Sequence, residues 1–79
     1  MTIEQLKSAV IEDANDFYFE YNGEQCGVEQ TVTNSIAIYD MWYGDKLKTY
    51  TDLDVLLNDS FFDGKAIPDI IDIVDIDFS

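Results

Sequence analysis

The dipeptide Asn22-Gly23, set between FYFEY (residues 17–21) and EQCGVE (residues 24–29), constrains this chain more than any other feature of its sequence. Asn and Gly tolerate positive φ, which a two-residue hairpin turn requires if its twist is to match that of the flanking strands. The flanking segments alternate and are rich in aromatic residues, a pattern that fits strands and not a helix. A two-residue loop then sets the register: Tyr21 opposite Glu24, Phe19 opposite Cys26, Phe17 opposite Val28. Opposed residues share a face. Phe17, Phe19, Cys26 and Val28 therefore form one side, and Tyr18, Glu20, Gln25, Gly27 and Glu29 the other. A slip of one residue would mix the two sets, so the apolar set is expected to face a core.

Elements on either side of this hairpin make the expected fold class α+β. Thr2 followed by Gln5 reads as a capping box, and Ile3, Leu6, Val10 and Ala14 recur at helical spacing, predicting a helix over residues 3–14. After the polar turn Thr33-Asn34-Ser35, IAIYDMWY and KLKTY flank Gly44-Asp45 as a second hairpin, so the sheet is expected to be antiparallel. Its two faces are nearly equally apolar. Ile36, Ile38, Trp42 and Leu47 share one side with Asp40 among them, and Tyr39, Met41, Tyr43 and Tyr50 share the other, so one face is expected to be only partly covered. Thr51 with Asp54 signals the start of a short helix whose apolar stripe is Leu53, Leu56 and Leu57. Phe61-Phe62 should anchor in the core and Asp63-Gly64 should turn. Pro68 fits the first position of a last short helix with Asp69 near its positive end. The tail alternates Val74, Ile76, Phe78 against Asp75 and Asp77, as a final strand would.

A chain of 79 residues, read as one domain over 1–79, buries only about 60% of its unfolded surface, so its core must be dense in large side chains. Five Phe, five Tyr and Trp42 meet that need. The charge is extreme: 17 acidic residues against Lys7, Lys46, Lys48 and Lys65, with no Arg or His, give a net −13. Solubility alone asks for a net charge of only about 2 to 8 in a small domain. Direct binding to nucleic acid or to an anionic membrane is disfavoured, since both depend on Lys and Arg. A basic protein partner is the natural complement. No stretch has the length and apolarity of a signal peptide or membrane span, and the lone Cys26 makes no internal disulfide, so a cytoplasmic location is expected.

Catalysis has little to work with. There is no histidine, and Cys26 falls on the apolar side of the hairpin with no base to activate it, so it is read as a small core residue. Asp52-x-Asp54 and Asp72-x-x-Asp75-x-Asp77 match no calcium loop. The chain is therefore read as a non-catalytic binding protein without cofactor or dedicated metal site. The acids themselves are the candidate site. Asp69, Asp72 and Asp75 would spread along one side of a helix, and Glu20 and Glu29 mark the solvent side of the first hairpin. Duplex DNA carries one phosphate charge per ~1.7 Å of axis, so a rigid body bearing such carboxylates can occupy a basic channel in its place. A merely solvated acidic surface explains the same charges equally well. The alternative function is an apolar protein contact through Tyr39, Met41 and Tyr43, residue types common at interfaces, for which core packing is the competing explanation.

Through FEYNGEQCG (19–27), YGDK (43–46) and FFDGK (61–65), the chain resembles small uncharacterised acidic proteins of Gram-positive bacteria and their mobile elements. That resemblance carries no assigned activity. In size and acidity, without a shared motif, the chain is also similar to phage DNA-mimic inhibitors such as anti-CRISPR proteins. This likeness implies a stoichiometric inhibitor of a DNA- or RNA-handling protein.

Overall fold

A computed structural model describes every residue from Met1 to Ser79. Helix α1 (Ile3–Ile11) leads into strands β1 (Phe17–Tyr21), β2 (Glu24–Thr33), β3 (Ile36–Tyr43) and β4 (Lys46–Tyr50). Helices α2 (Leu53–Asn58) and α3 (Ile67–Ile70) follow, and β5 (Asp77–Phe78) closes the chain. The sheet has the order β4-β3-β2-β1-β5, and every neighbouring pair is antiparallel. The α+β class is thus as the sequence implied.

The first hairpin has the expected register, Phe17 opposite Val28 and Phe19 opposite Cys26, with Asn22 and Gly23 at φ 53° and 76°. All four apolar residues are buried. The strand β2 runs on to Thr33, where Asn34 and Ser35, both at positive φ, make a second two-residue turn into β3. This turn pairs Thr33 with Ile36, and counting back pairs Val28 with Met41. The core side of β1 and β2 therefore continues through Tyr39, Met41 and Tyr43 to Tyr50 on β4.

The helices lie on that side only. Leu6 and Val10 of α1, Leu53, Leu56 and Leu57 of α2, and Ile67 and Ile70 of α3 join the sheet residues and Phe62 in one buried cluster. Phe62 stands at its centre, with ring centroids 5.5 Å from Phe19, 5.5 Å from Tyr43 and 6.2 Å from Tyr21. It is held there by a tight turn through Asp63 and Gly64, φ 53° and 84°, which closes a bridge between Phe62 and Lys65. Two tyrosines tie this layer down: Tyr43 Oη donates to Asp63 Oδ2 at 2.6 Å, and Tyr50 Oη to Asp59 Oδ2 at 2.7 Å.

Several boundaries differ from the sequence reading. The capping box forms, with Gln5 N–H donating to Thr2 Oγ1 at 3.1 Å and Thr2 N–H to Gln5 Oε1 at 2.8 Å, but α1 stops at Ile11 instead of residue 14. Its last turn has no basic residue, and Glu12 and Asp13 would add negative charge at the negative end of the dipole. Ala14 instead takes φ 52° and turns the chain towards β1. A Cβ in that region costs roughly 1–2 kcal/mol, partly offset by the greater unfolded entropy of glycine. Ala14→Gly is expected to raise stability by up to about 1 kcal/mol, read as a higher urea midpoint with an unchanged slope. The start of α2 is also shifted by one: Asp52, not Thr51, is the N-cap, accepting from Asp54 N–H at 2.8 Å and Val55 N–H at 3.2 Å.

The Asp59 contact makes stability depend on pH. Lys48 Nζ and Tyr50 Oη both donate to Asp59 Oδ2 at 2.7 Å, and these bonds, the lysine's first, hold its carboxyl below the ordinary range. A lowered folded pKa contributes stability above the unfolded value, and that contribution is lost as pH falls through the folded value. The stability gap between wild type and Asp59→Asn should therefore be widest above the ordinary carboxylate range and close as acid is added. Urea midpoints measured from pH 6 down to pH ~2 test this sign.

Candidate functional site

The side of the sheet away from the helices has no cover. Alternation and register put on it Glu20 and Gln25 in one row, then Asp77, Tyr18, Gly27, Trp42 and Leu47 in the next. A third row holds Glu29, Asp40 and Thr49, and the outer rows add Thr31 with Ile38 and Thr33 with Ile36. Rows on a strand are two residues apart, about 7 Å. Lys46 and Lys48 pair with Tyr43 and Met41 and so belong to the helix side. Lys7 lies on α1, bridged to Asp54 at 2.8 Å, and Lys65 ends the turn after Phe62. The open face has acids and no cation.

Its centre is built on a glycine. Trp42 lies directly across from Gly27, and a Cβ at that position would fall 2.5 Å from the indole ring and 2.9 Å from the Phe17 carbonyl oxygen. The absence of a side chain lets the ring settle on the sheet, with Tyr18 beside it at 5.9 Å between centroids. Tyr18 Oη donates to Glu29 Oε2 at 3.4 Å, and Thr49 Oγ1 to Asp40 Oδ1 at 2.6 Å. Glu29 and Asp40 face each other directly across β2 and β3. Burial and the neighbouring Asp16 and Glu29 charges raise the Tyr18 phenol above its ordinary value, so it stays a neutral donor.

The five candidate acids do not form one row. Glu20 and Glu29 are on the open face as expected. Asp69, Asp72 and Asp75 do not share a helix side, because α3 ends at Ile70 and the chain turns through residues 71–74. Four residues make barely one turn, and Ile71 drops into the core in place of continuing the helix. Asp69 is used locally, its Oδ2 accepting from Ala66 N–H at 2.9 Å. Asp72 is exposed in the turn. Asp75 comes instead to the outer edge of β1, where Glu20, Asp75 and Asp77 line a groove of about 450 Å³ with Tyr18, Asn22 and Ile73. Asp77 pairs with Tyr18, so this groove runs into the open face.

The apolar set is corrected outright. Tyr39, Met41 and Tyr43 are 6, 0 and 7% exposed and belong to the core, because the Asn34-Ser35 turn places Met41 beside Val28. The exposed apolar side chains are the other set: Ile36 at 60%, Leu47 at 66% and Ile38 in part, with Trp42 half-buried. Asp40 and Trp42, which the sequence does place on one side of the second hairpin, and Asp77 are thus the face residues missing from the acids that the sequence nominates as a site. Cys26 is buried on the opposite side, and burial pushes its thiol up to about 11, so it is held as an inert thiol.

No protein-family model matches this chain, and comparison with curated proteins and with solved structures finds no match. No helix is long and apolar enough to cross a membrane.

Proposed function

We propose that this chain is a non-catalytic acidic binding protein that occupies the nucleic-acid site of a basic, DNA- or RNA-handling protein. One observation supports this reading above the rest: Glu20, Glu29, Asp40 and Asp77 share an uncovered sheet face from which both strand lysines are turned away. Acids are spread over the whole chain, but this face carries charge of one sign only. A field of one sign raises the association rate with a basic surface, and carboxylates fixed on a sheet stand where phosphates would otherwise contact Arg and Lys. A surface acidic only for solubility needs no face kept free of cations.

The test is positional. Partners are captured from lysate on the immobilised chain, and their affinity is compared for two variants of equal charge: Glu20→Gln with Glu29→Gln, and Glu12→Gln with Asp13→Asn at the end of α1. The first should weaken a specific complex at least tenfold, and the second less than threefold. Equal losses would mean attraction to total charge without a defined surface. Because the open face also exposes Ile36, Ile38 and Leu47, a second reading is an apolar contact on the same face. It predicts binding that survives high salt, whereas occupation of a phosphate site predicts steep loss.

A further inference from the structure

We infer that the open sheet face docks a segment of the protein partner in which an arginine is flanked by apolar residues, its guanidinium lying against Trp42 and reaching Glu29 and Asp40. This rests on the reading that the partner is basic, and adds the kind of segment and the side chain at its centre.

Three features of the face argue for that occupant. The acidic row Glu29, Asp40, Thr49 divides two apolar groups, Ile36 and Ile38 on one side, Trp42 and Leu47 on the other. Rows about 7 Å apart match alternate residues of an extended segment laid along the strands, so a positive residue over the acids sets apolar neighbours over both groups. Glu29 and Asp40 are like charges directly opposite each other, which is unfavourable in a sheet. Each accepts only from a neutral hydroxyl, Tyr18 or Thr49, and no lysine of the chain is on this side. A cation from outside removes that repulsion. Finally, Trp42 offers a flat surface one row away. A guanidinium stacks on an aromatic ring while its fork donates to carboxylates, which the compact ammonium of lysine does not do.

The occupant is not a second copy. Apposing two such faces would bring Glu29 and Asp40 of one chain against the acids of the other, with no cation on either face and −13 on each chain.

The full chain can be tested with three seven-residue amidated peptides with serine at every other position, whose three remaining positions, which share one side of an extended segment, are Val-Arg-Val (the valine–arginine peptide), Val-Lys-Val (the lysine peptide) and Ser-Arg-Ser. Emission of Trp42, the only tryptophan, reports contact. The valine–arginine peptide should shift that emission and bind at least tenfold more tightly than either of the others. Glu29→Gln with Asp40→Asn should weaken it at least tenfold while melting no lower than wild type. Glu12→Gln with Asp13→Asn, equal in charge removed, should weaken it less than threefold. Equal binding of the lysine peptide, equal losses from the two double variants, or binding that leaves Trp42 emission unchanged would each overturn the assignment. If these titrations fail while the chain still displaces nucleic acid from a captured partner, the docking assignment falls alone. If displacement fails too, the acidic-binding reading falls with it.

Discussion

Phe62→Ala is expected to remove about 3–5 kcal/mol of stability, the range for truncating a fully buried aromatic. A chain of 79 residues commands roughly 4–12 kcal/mol in all at the usual stability per residue, so this single change removes a large share of the total. The expectation is large because Phe62 has no exposed surface and is surrounded by Phe19, Tyr21, Tyr43 and Phe61, which come from three separate stretches of chain. No neighbour is free to collapse into the space: Tyr43 is tethered through Asp63, and Phe19 is fixed in the central ladder. Phe62→Leu should cost less than half as much, since most of the volume is kept. Urea unfolding followed by circular dichroism measures both, and a loss of less than about 1 kcal/mol for Phe62→Ala would contradict the packing described.

Gly27→Val should cost about 3 kcal/mol or more, combining overpacking, typically 1–3 kcal/mol, with loss of the partly buried seat of Trp42. The glycine's φ is not the issue. A Cβ meets both the indole and the Phe17 carbonyl oxygen, and the latter belongs to a strand held on both sides by hydrogen bonds and cannot give way cheaply. The indole must therefore lift into solvent. A red shift of Trp42 emission should accompany the fall in melting temperature, and the arginine peptide should lose its site. If emission and melting temperature both stay at wild-type values, Trp42 does not rest on Gly27.

These two residues also mark what the sequence makes legible. The sequence places Phe61-Phe62 in the core, where Phe62 is fully buried and Phe61 partly so, and the first hairpin is readable to the residue because a two-residue Asn22-Gly23 turn gathers its apolar residues on one face. The second hairpin is legible as two sides, but not as to which of them is the core, since IAIYDMWY is apolar on both. The signal that resolves it is Asn34-Ser35: taken as a two-residue turn it pairs Thr33 with Ile36, and counting back puts Met41 beside Val28 and Trp42 beside Gly27. Asn and Ser carry that turn less conspicuously than Asn-Gly. The tail acids misled for a different reason. Asp69, Asp72 and Asp75 have helical spacing, but a helix persists only while its apolar side stays on a core, and Ile70 and Ile71 enter the core together and end it. Asp75 and Asp77 then reach the Glu20 edge through β5, a long-range pairing that local spacing does not reveal.

Competition at the partner's nucleic-acid site tests the central claim most directly. A partner captured on this chain is loaded with fluorescently labelled DNA or RNA, and the chain is titrated in at low and at high salt. Stoichiometric displacement is predicted, steeply weakened by salt, lost with Glu29→Gln plus Asp40→Asn and retained with Glu12→Gln plus Asp13→Asn. A ternary complex, in which the partner holds the chain and the nucleic acid together, would contradict it.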